Sequence, residues 1–365
     1  MVSKKIIKVI TVFMATFAFI PKVVFAQDIT LRILCWEGYA KPYTKKFQAL
    51  MHKKYDKKVS LEIKNVSDPG EFWDESRGNN VDLISPAHNI LKSNKWKFIE
   101  GKIALPINLK NIPNYKYVIP FLQKNEFATK NGKVFGVPYT MGPYGLAYNA
   151  DKVEEPESWN ILWSKEAKNK ITISKDYSDC NIYTSVLALG GSYNDLYDYD
   201  TLVSNIDKIS LSKKLSKLVS NTFSLWEGTA DYKQFDQLLY AATWGYAVAQ
   251  ANKHGGNWKM ATPKEGTTMW VDHWVITHSL KDKPLKKKIA EEWINYCLSN
   301  DLQIGVIRNW GVSPVVTNIN DKLTKDEIAV YKPGQNEYWK NLSLWKNQST
   351  RTQNAFKIIW DSAKR

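Results

Sequence analysis

A carboxylate beside indole rings is the feature of this sequence best suited to binding a cation. Trp270-Val271-Asp272 lies in an apolar run, and alternate residues of a strand project from one face, so Trp270 and Asp272 are expected side by side. An anion on an apolar face is costly in a core but suits a cation site, because an indole face also attracts cations. Asp176 and Asp179, three apart at an expected helix start, could add carboxylates, although Asp there also serves as a plain helix cap.

Further aromatic side chains could complete such a site. The chain has 15 Trp and 19 Tyr residues, more than a core of this size requires, and the excess favours a binding cleft. Trp36, Trp244 and Trp270 lie in or beside apolar runs, where packing in the core is the alternative interpretation. His273 faces away from Asp272 and is expected to be structural. Four tryptophans are assigned to packing or to the surface: Trp226, Trp339, Trp345 and Trp360.

The motifs of several enzyme classes are missing. The sequence contains no GxGxxG after a strand, no GxxxxGK[ST], no HExxH and no GxSxG, and its three cysteines show no CxxC spacing. Its five histidines are scattered, without convincing metal-ligand spacing. These absences weaken the case for an enzyme without closing it, and no metal and no cofactor are expected. The net charge of +15 comes from lysines spread over the whole chain, and no nucleic-acid partner is expected.

The N-terminus predicts export. Residues 1–26 resemble a cleavable signal peptide, with Lys4, Lys5 and Lys8 before an apolar stretch at 9–20 that is too short to span a membrane. Cleavage is expected before Gln27, and an uncleaved membrane anchor is the alternative. Loss of the four lysines in this segment would lower the net charge from +15 to +11. The predicted location is the periplasm.

The elements that must position these residues alternate between strands and helices, which predicts an α/β fold with mostly parallel sheets. The pair Gly142-Pro143 is expected to interrupt the extended backbone, leaving a short strand on either side. Helices are expected after the first strand and at 158–168, 176–189 and 285–298. Strands are expected at 30–36, 59–66, 81–85, 134–139, 144–149, 170–174, 258–262 and 270–277.

Several segments, in order, resemble the periplasmic spermidine/putrescine-binding proteins of ABC transporters. The most specific is PKEG followed by an aromatic-x-Asp strand in PKEGTTMWVDHWVIT (263–277). The others are CWEGYAKP (35–42), VDLISPA (81–87), VPYTMGPYGLAYNADKV (137–153), SWNILW (158–163), SKDYSDC (174–180), ATWGYAVAQA (242–251) and NWGVSP (309–314).

The resemblance implies two α/β lobes that close on the ligand by hinge motion. It places lobe one at 27–143 plus 271–319 and lobe two at 144–270 plus 320–365. It also implies an aromatic box with carboxylates at the amines of a polyamine. The residues that look like this site are Trp36, Trp244 and Trp270 as box aromatics, Tyr39 as a further wall, Asp176 and Asp179 as an acidic pair, and Asp272 as an ammonium ligand.

Three positions depart from the family pattern. The acid expected two residues after Trp36 is Gly38, with Glu37 as the neighbouring acid. Gly311 replaces an aromatic residue, although Trp310 adjoins it, and Asn89 stands where an aromatic is common. These changes are expected to affect one end of the box and the length of the ligand.

The resemblance implies a non-enzymatic, monomeric binding protein that delivers a polyamine to an inner-membrane ABC permease. Two alternatives remain open. A sensor subunit that signals to a membrane receptor would share the whole site. A carbohydrate-active enzyme would also use Trp-rich walls, and would need two carboxylates flanking a sugar ring.

Overall fold

The computed structural model describes residues 28–66 and 68–364. The predicted signal peptide and its cleavage site lie outside these residues. The strands are β1 Ile29–Cys35, β2 Val59–Asn65, β3 Leu83–Ile84, β4 Thr129–Lys130, β5 Lys133–Val134, β6 Gly136–Asn149, β7 Ile171–Ser174, β8 Thr222–Trp226, β9 Tyr240–Thr243, β10 Trp258–Met260, β11 Thr268–Ile276, β12 Ser313–Pro314 and β13 Ser343–Leu344. The helices are α1 Thr44–Tyr55, α2 Pro69–Arg77, α3 His88–Leu91, α4 Ser178–Ala188, α5 Tyr199–Asn205, α6 Lys208–Asn221, α7 Gly245–Lys253, α8 Pro284–Cys297, α9 Asn300–Trp310, α10 Lys325–Tyr331, α11 Asn336–Lys340 and α12 Thr350–Ala363.

One curled mixed sheet runs through the molecule in the order β2-β1-β3-β11-β6-β9-β7-β8. In one half of it, β1 pairs in parallel with β2 and β3; in the other, β7 pairs in parallel with β8 and β9. The long strands β6 and β11 pair antiparallel and run from one half into the other. The β1 half and the β7 half are therefore joined by two crossing strands, and residues near the middle of these strands lie between the halves.

Helices cover each half of the sheet. In the β1 half, α1 packs on β2, α8 packs on β1, and α9 follows α8 and contacts β12. In the β7 half, α4 packs on β7, and α12 at the end of the chain packs on α4 and α6. Each half therefore contains segments that are distant in the sequence, and the chain has to cross between the halves more than once.

The predicted break at Gly142-Pro143 is wrong, since β6 continues through both residues. Pro143 stands opposite Met269 of β11, and the Met269 carbonyl accepts a 3.1 Å hydrogen bond from the Trp345 N–H on its other side. Pro143 and Met269 therefore face each other without exchanging backbone hydrogen bonds, as alternate pairs of an antiparallel ladder do. The N–H that proline lacks is not needed by this pair.

The helix predicted at 158–168 is also wrong, because only the 3₁₀ turn Trp159–Trp163 forms there. Contacts with distant backbone compete with helix formation. The Trp159 indole donates a 2.9 Å hydrogen bond to the Gly266 carbonyl, and the Trp163 indole donates one of 2.7 Å to the Lys214 carbonyl. The strand predicted at 81–85 shortens to β3, whereas those at 30–36 and 59–66 match β1 and β2 within a residue.

Candidate functional site

Asp272 lies in the middle of β11 with its carboxylate buried between the two halves. It accepts a 2.7 Å hydrogen bond from the Tyr39 hydroxyl, which lies 2.9 Å from Thr140 Oγ1 on β6. No cationic side chain pairs with Asp272 among residues 28–66 and 68–364. Burial raises the pKa of Asp272 to about 7, although the hydrogen bond from Tyr39 opposes the rise. An added cation would stabilise this carboxylate strongly.

An aromatic cluster centred on Trp244 adjoins Asp272 through Trp270. Trp244 directly precedes α7 and is only 9% exposed, and Trp270 is 8% exposed. All five neighbouring rings meet Trp244 edge to face, at interplanar angles between 63° and 89°, an arrangement that aromatic pairs favour. The members of this Trp244 cluster, with ring-centroid distances to Trp244, are Tyr177 (5.0 Å), Tyr144 (5.1 Å), Trp226 (5.6 Å), Trp345 (6.0 Å) and Trp270 (6.4 Å).

Asp176 holds the loop that fixes the orientation of Trp244. Its Oδ1 accepts hydrogen bonds from the Ser174 hydroxyl (2.8 Å) and the Tyr177 N–H (3.1 Å), and its Oδ2 accepts one from the Gly228 N–H (2.8 Å). The Gly228 carbonyl in turn accepts a 2.9 Å hydrogen bond from the Trp244 indole. The helix predicted from 176 begins at Ser178, so Asp176 precedes it and is exposed. Asp176 thus acts on the cluster through the backbone of Gly228.

Asp179, in the first turn of α4, has different surroundings. Its side chain is half-buried, and burial raises its pKa to about 6, against the opposing effect of a hydrogen bond from Gln348. The Gln348 amide also donates a 2.6 Å hydrogen bond to the Tyr183 hydroxyl. Asp179 is therefore a second carboxylate whose pKa is raised by burial, on the β7 side of the Trp244 cluster.

The structure does not bring Trp36 and Glu37 into the Trp244 cluster. Trp36 is half-buried, and its ring meets Phe72 edge-on with centroids 5.4 Å apart. Glu37 is exposed. Of the residues predicted from the sequence, Tyr39, Trp244, Trp270 and Asp272 are the ones that gather between the halves, and Asp176 and Asp179 flank them.

Buried histidines hold the backbone around Asp272. His88 Nδ1 accepts a 3.2 Å hydrogen bond from the Val271 N–H, and its Nε2 lies 2.7 Å from the Trp345 carbonyl, so the proton is assigned to Nε2. Burial lowers the pKa of His88 to about 4, despite these hydrogen bonds. His273 lies 3.1 Å from the Val271 carbonyl through Nδ1. Both histidines are neutral supports for β11.

Sequence reasoning missed four aromatic residues of the cluster, Tyr144, Tyr177, Trp226 and Trp345, and the unpaired polar atom of Asn89. Tyr144 and Tyr177 lie inside segments on which the family resemblance rests, so their place in these segments could have indicated that they belong to the site. Trp345 had no such signal, because β13 joins β11 from far along the chain. Asn89 carries a buried Oδ1 without a hydrogen-bond partner among the described residues, and it lies two residues after Ala87, which forms a backbone bridge with Asp272.

Two parallel half-sheets joined by crossing strands, with a buried site between them, form the fold of two-lobed periplasmic binding proteins. The chain belongs to the bacterial extracellular solute-binding protein family, which matches residues 79–342. The predicted fold class and family resemblance are thereby confirmed. The family and the structural neighbours are binding proteins of transport systems and not enzymes.

Individual relatives are distant. The spermidine/putrescine-binding periplasmic protein of Salmonella typhimurium is 23% identical over 234 residues, which cover 63% of this chain and 62% of that protein. This chain therefore spans less than two thirds of that relative's length. The putrescine-binding periplasmic protein of Escherichia coli is 22% identical over 293 residues, covering 76% of this chain and 75% of that protein.

A solved structure shares the fold. The substrate-binding protein of a spermidine/putrescine ABC transporter from Streptococcus pneumoniae superimposes with a TM-score of 0.74 at 19% identity, covering 92% of this chain and 98% of that one. Within the described residues, no helix is both long and apolar enough to cross a membrane. No group of three or more His, Cys, Asp or Glu residues suited to a metal ion is found in the same part of the chain.

Proposed function

We propose that this chain is a periplasmic binding protein that captures a linear polyamine of the putrescine/spermidine class and delivers it to an inner-membrane ABC permease. The observation that carries the proposal is Asp272, a carboxylate that is only 5% exposed, lacks a cationic partner among the described residues, and adjoins an aromatic cluster. An isolated buried anion is costly, and a bound ammonium would remove that cost.

The site offers partners for both chemical parts of a polyamine, its ammonium groups and its methylene segments. A charge-assisted hydrogen bond to Asp272 contributes about 1.5–3 kcal/mol, and a cation over an indole of the Trp244 cluster adds about 0.5–2 kcal/mol. The flat aromatic walls suit the methylene segments between the amines. Two ammonium groups bound in this way would contribute about 4–10 kcal/mol, a range that includes the roughly 8 kcal/mol of micromolar affinity, before the costs of association are subtracted.

The remaining predicted residues take subsidiary roles in this proposal. Asp179 is the second ammonium partner, and Asp176 positions Trp244 through Gly228. In this proposal the exposed carboxylate of Glu37, two residues before Tyr39, attracts the ligand before closure. Trp36 supports the loop that carries Tyr39, by packing on Phe72.

Capture requires the two halves to move as lobes. We propose that lobe one comprises 27–143 plus 271–319 and lobe two 144–270 plus 320–365, so that the divisions fall inside β6 and β11. A hinge in paired crossing strands lets the lobes rotate while the sheet stays connected. The proposed form is a monomer, exported by its cleavable N-terminal segment.

A thermal-shift screen of the mature protein tests this function. The panel comprises linear diamines and triamines of graded length, a neutral sugar, a dicarboxylate and a set of amino acids. A ligand that binds only the folded protein raises Tm as its concentration exceeds its Kd. We expect concentration-dependent rises with di- or triamines, and much smaller ones with amino acids, whose carboxylate would meet Asp272. A response to the sugar or the dicarboxylate alone would refute the proposed substrate class.

A further inference from the structure

Trp310, the last residue of α9, lies against the loop that leads into the site. A Cβ atom at Gly38 would fall 1.7 Å from Trp310 Cη2 and 1.9 Å from its Cζ2, so the indole occupies the space that any side chain at residue 38 would need. Gly38 also has φ +86°, which other residues rarely adopt. The absence of a side chain at residue 38 and the position of the Trp310 ring are therefore linked.

The other side of the Trp310 ring contacts the β7 half. Tyr246 of α7 stacks on it, with ring centroids 5.4 Å apart and an interplanar angle of 20°. The adjoining backbone makes an equally close approach, since a Cβ at Gly245 would lie 2.1 Å from the Gly311 carbonyl oxygen. Trp310 is thus held between the two halves of the molecule.

This position is one end of the proposed binding site. Gly38 adjoins Tyr39, whose hydroxyl binds Asp272, and Tyr246 comes two residues after Trp244. Glu37, on the far side of Gly38, is exposed and lies near enough to Tyr246 to raise the pKa of that tyrosine, as burial does more strongly. Trp310 thus packs on Gly38, whose two chain neighbours are Tyr39, which binds Asp272, and the exposed Glu37.

We propose that Trp310 determines ligand length: its ring closes the Gly38 end of the site and limits the ligand to a short diamine. A triamine that placed one ammonium at Asp272 and extended past Tyr39 would meet the indole. With the indole removed, its third ammonium would reach Glu37. This inference rests on the proposed function and narrows the ligand class within it.

Calorimetric titration of putrescine, as the diamine, and spermidine, as the triamine, into wild type and Trp310→Ala tests this role. In wild type we expect putrescine to bind at least tenfold more tightly than spermidine. In Trp310→Ala the ratio of the two affinities should fall at least tenfold, mainly through tighter spermidine binding. The double variant Glu37→Gln, Trp310→Ala should lose most of the gain, which a merely structural role for Trp310 would not predict.

Matched variants separate the outcomes. Trp310→Leu retains apolar packing with a shorter side chain, and should change the ratio in the same direction if Trp310→Ala does not fold. Trp163→Ala removes another half-buried tryptophan, and should leave the ratio within threefold of wild type. An unchanged ratio in both Trp310 variants, with putrescine still bound, overturns the role of Trp310 alone. Failure of wild type to bind either amine overturns the proposed function as well.

Discussion

Asp272 and Asp82 are buried aspartates with opposite surroundings. Burial alone would raise the pKa of Asp82, but hydrogen bonds from Arg32, Lys286 and Ser279 outweigh it and lower that pKa to about 2. Asp272 has a tyrosine hydroxyl in place of cations, and its pKa rises to about 7. The charge of Asp82 is thus compensated within the protein, whereas that of Asp272 is available for a ligand.

The raised pKa of Asp272 predicts that amine affinity depends on pH. Because an ammonium favours the ionised carboxylate, affinity should rise as the pH increases from about 5 to about 8, and binding near pH 6.5 should release protons. Asp179, with a pKa of about 6, should contribute at the lower end of this range. Calorimetry in buffers of different ionisation enthalpy measures the released protons. Affinity and proton count independent of pH would contradict this assignment.

Ligand-free stability should show the reverse trend. The folded-state pKa of Asp272 lies above its ordinary value of 3.8, so the folded protein retains the proton more strongly than the unfolded chain does. The stability that this group contributes is present below about pH 4 and is lost as the pH rises through 7. The variant Asp272→Asn should lack this part of the pH dependence, which denaturant unfolding at several pH values measures.

Some of the strands and helices could be predicted from the sequence, and the continuity of a crossing strand could not. β1, β2 and α8 followed from apolar runs and periodicity, and the Asp272 segment of β11 was recognised from its aromatic-x-Asp pattern. The continuity of β6 through Pro143 was not predictable, because it requires that Met269, which lies opposite Pro143, directs its carbonyl to the distant Trp345 N–H. The contact of Trp345 with Trp244 depends on a strand pairing between distant parts of the chain.

The close approach of α7 to the end of α9 predicts an effect of a single methyl group. In Gly245→Ala, the new Cβ would lie 2.1 Å from the Gly311 carbonyl oxygen, so the two halves could not meet as they do here. Gly245 is the first residue of α7 and does not have a positive φ, so alanine suits its backbone and the separate halves should not be destabilised. We expect amine affinity to fall at least about tenfold with little loss of Tm.

Small-angle X-ray scattering supplies the second measurement for this variant. Wild type should become more compact when a saturating diamine is added, and Gly245→Ala should remain more extended at the same amine concentration. Wild-type affinity together with wild-type compaction in Gly245→Ala would show that the Gly245–Gly311 contact does not limit closure.

At the scale of the whole molecule, the net charge opposes the proposed ligand. The full chain carries +15, and a mature chain beginning at Gln27 would carry +11. Surface lysines act through solvent that screens them beyond about 8 Å at physiological ionic strength, whereas Asp272 would act at contact distance in a buried site. The local carboxylates therefore decide which ligand binds.

This difference predicts weak dependence on salt. Between 0.1 and 1 M NaCl the Debye length falls from about 10 Å to about 3 Å, which screens surface charges but leaves a buried contact pair largely unaffected. We expect diamine affinity, measured by calorimetry, to fall by less than about threefold over this range. A fall of tenfold or more would show that exposed charges dominate binding.

Calorimetric titration of a linear diamine into wild type and Asp272→Asn tests directly whether Asp272 binds the ammonium. Because the ammonium would lose its buried partner, the variant should lose about 2–5 kcal/mol of binding free energy, which is roughly 30-fold or more in Kd, without loss of ligand-free stability. Asp82→Asn is the matched control, since it breaks a buried ion pair and should lower stability while leaving the diamine Kd within about threefold. Equal diamine affinity in wild type and Asp272→Asn would show that Asp272 does not bind the ligand.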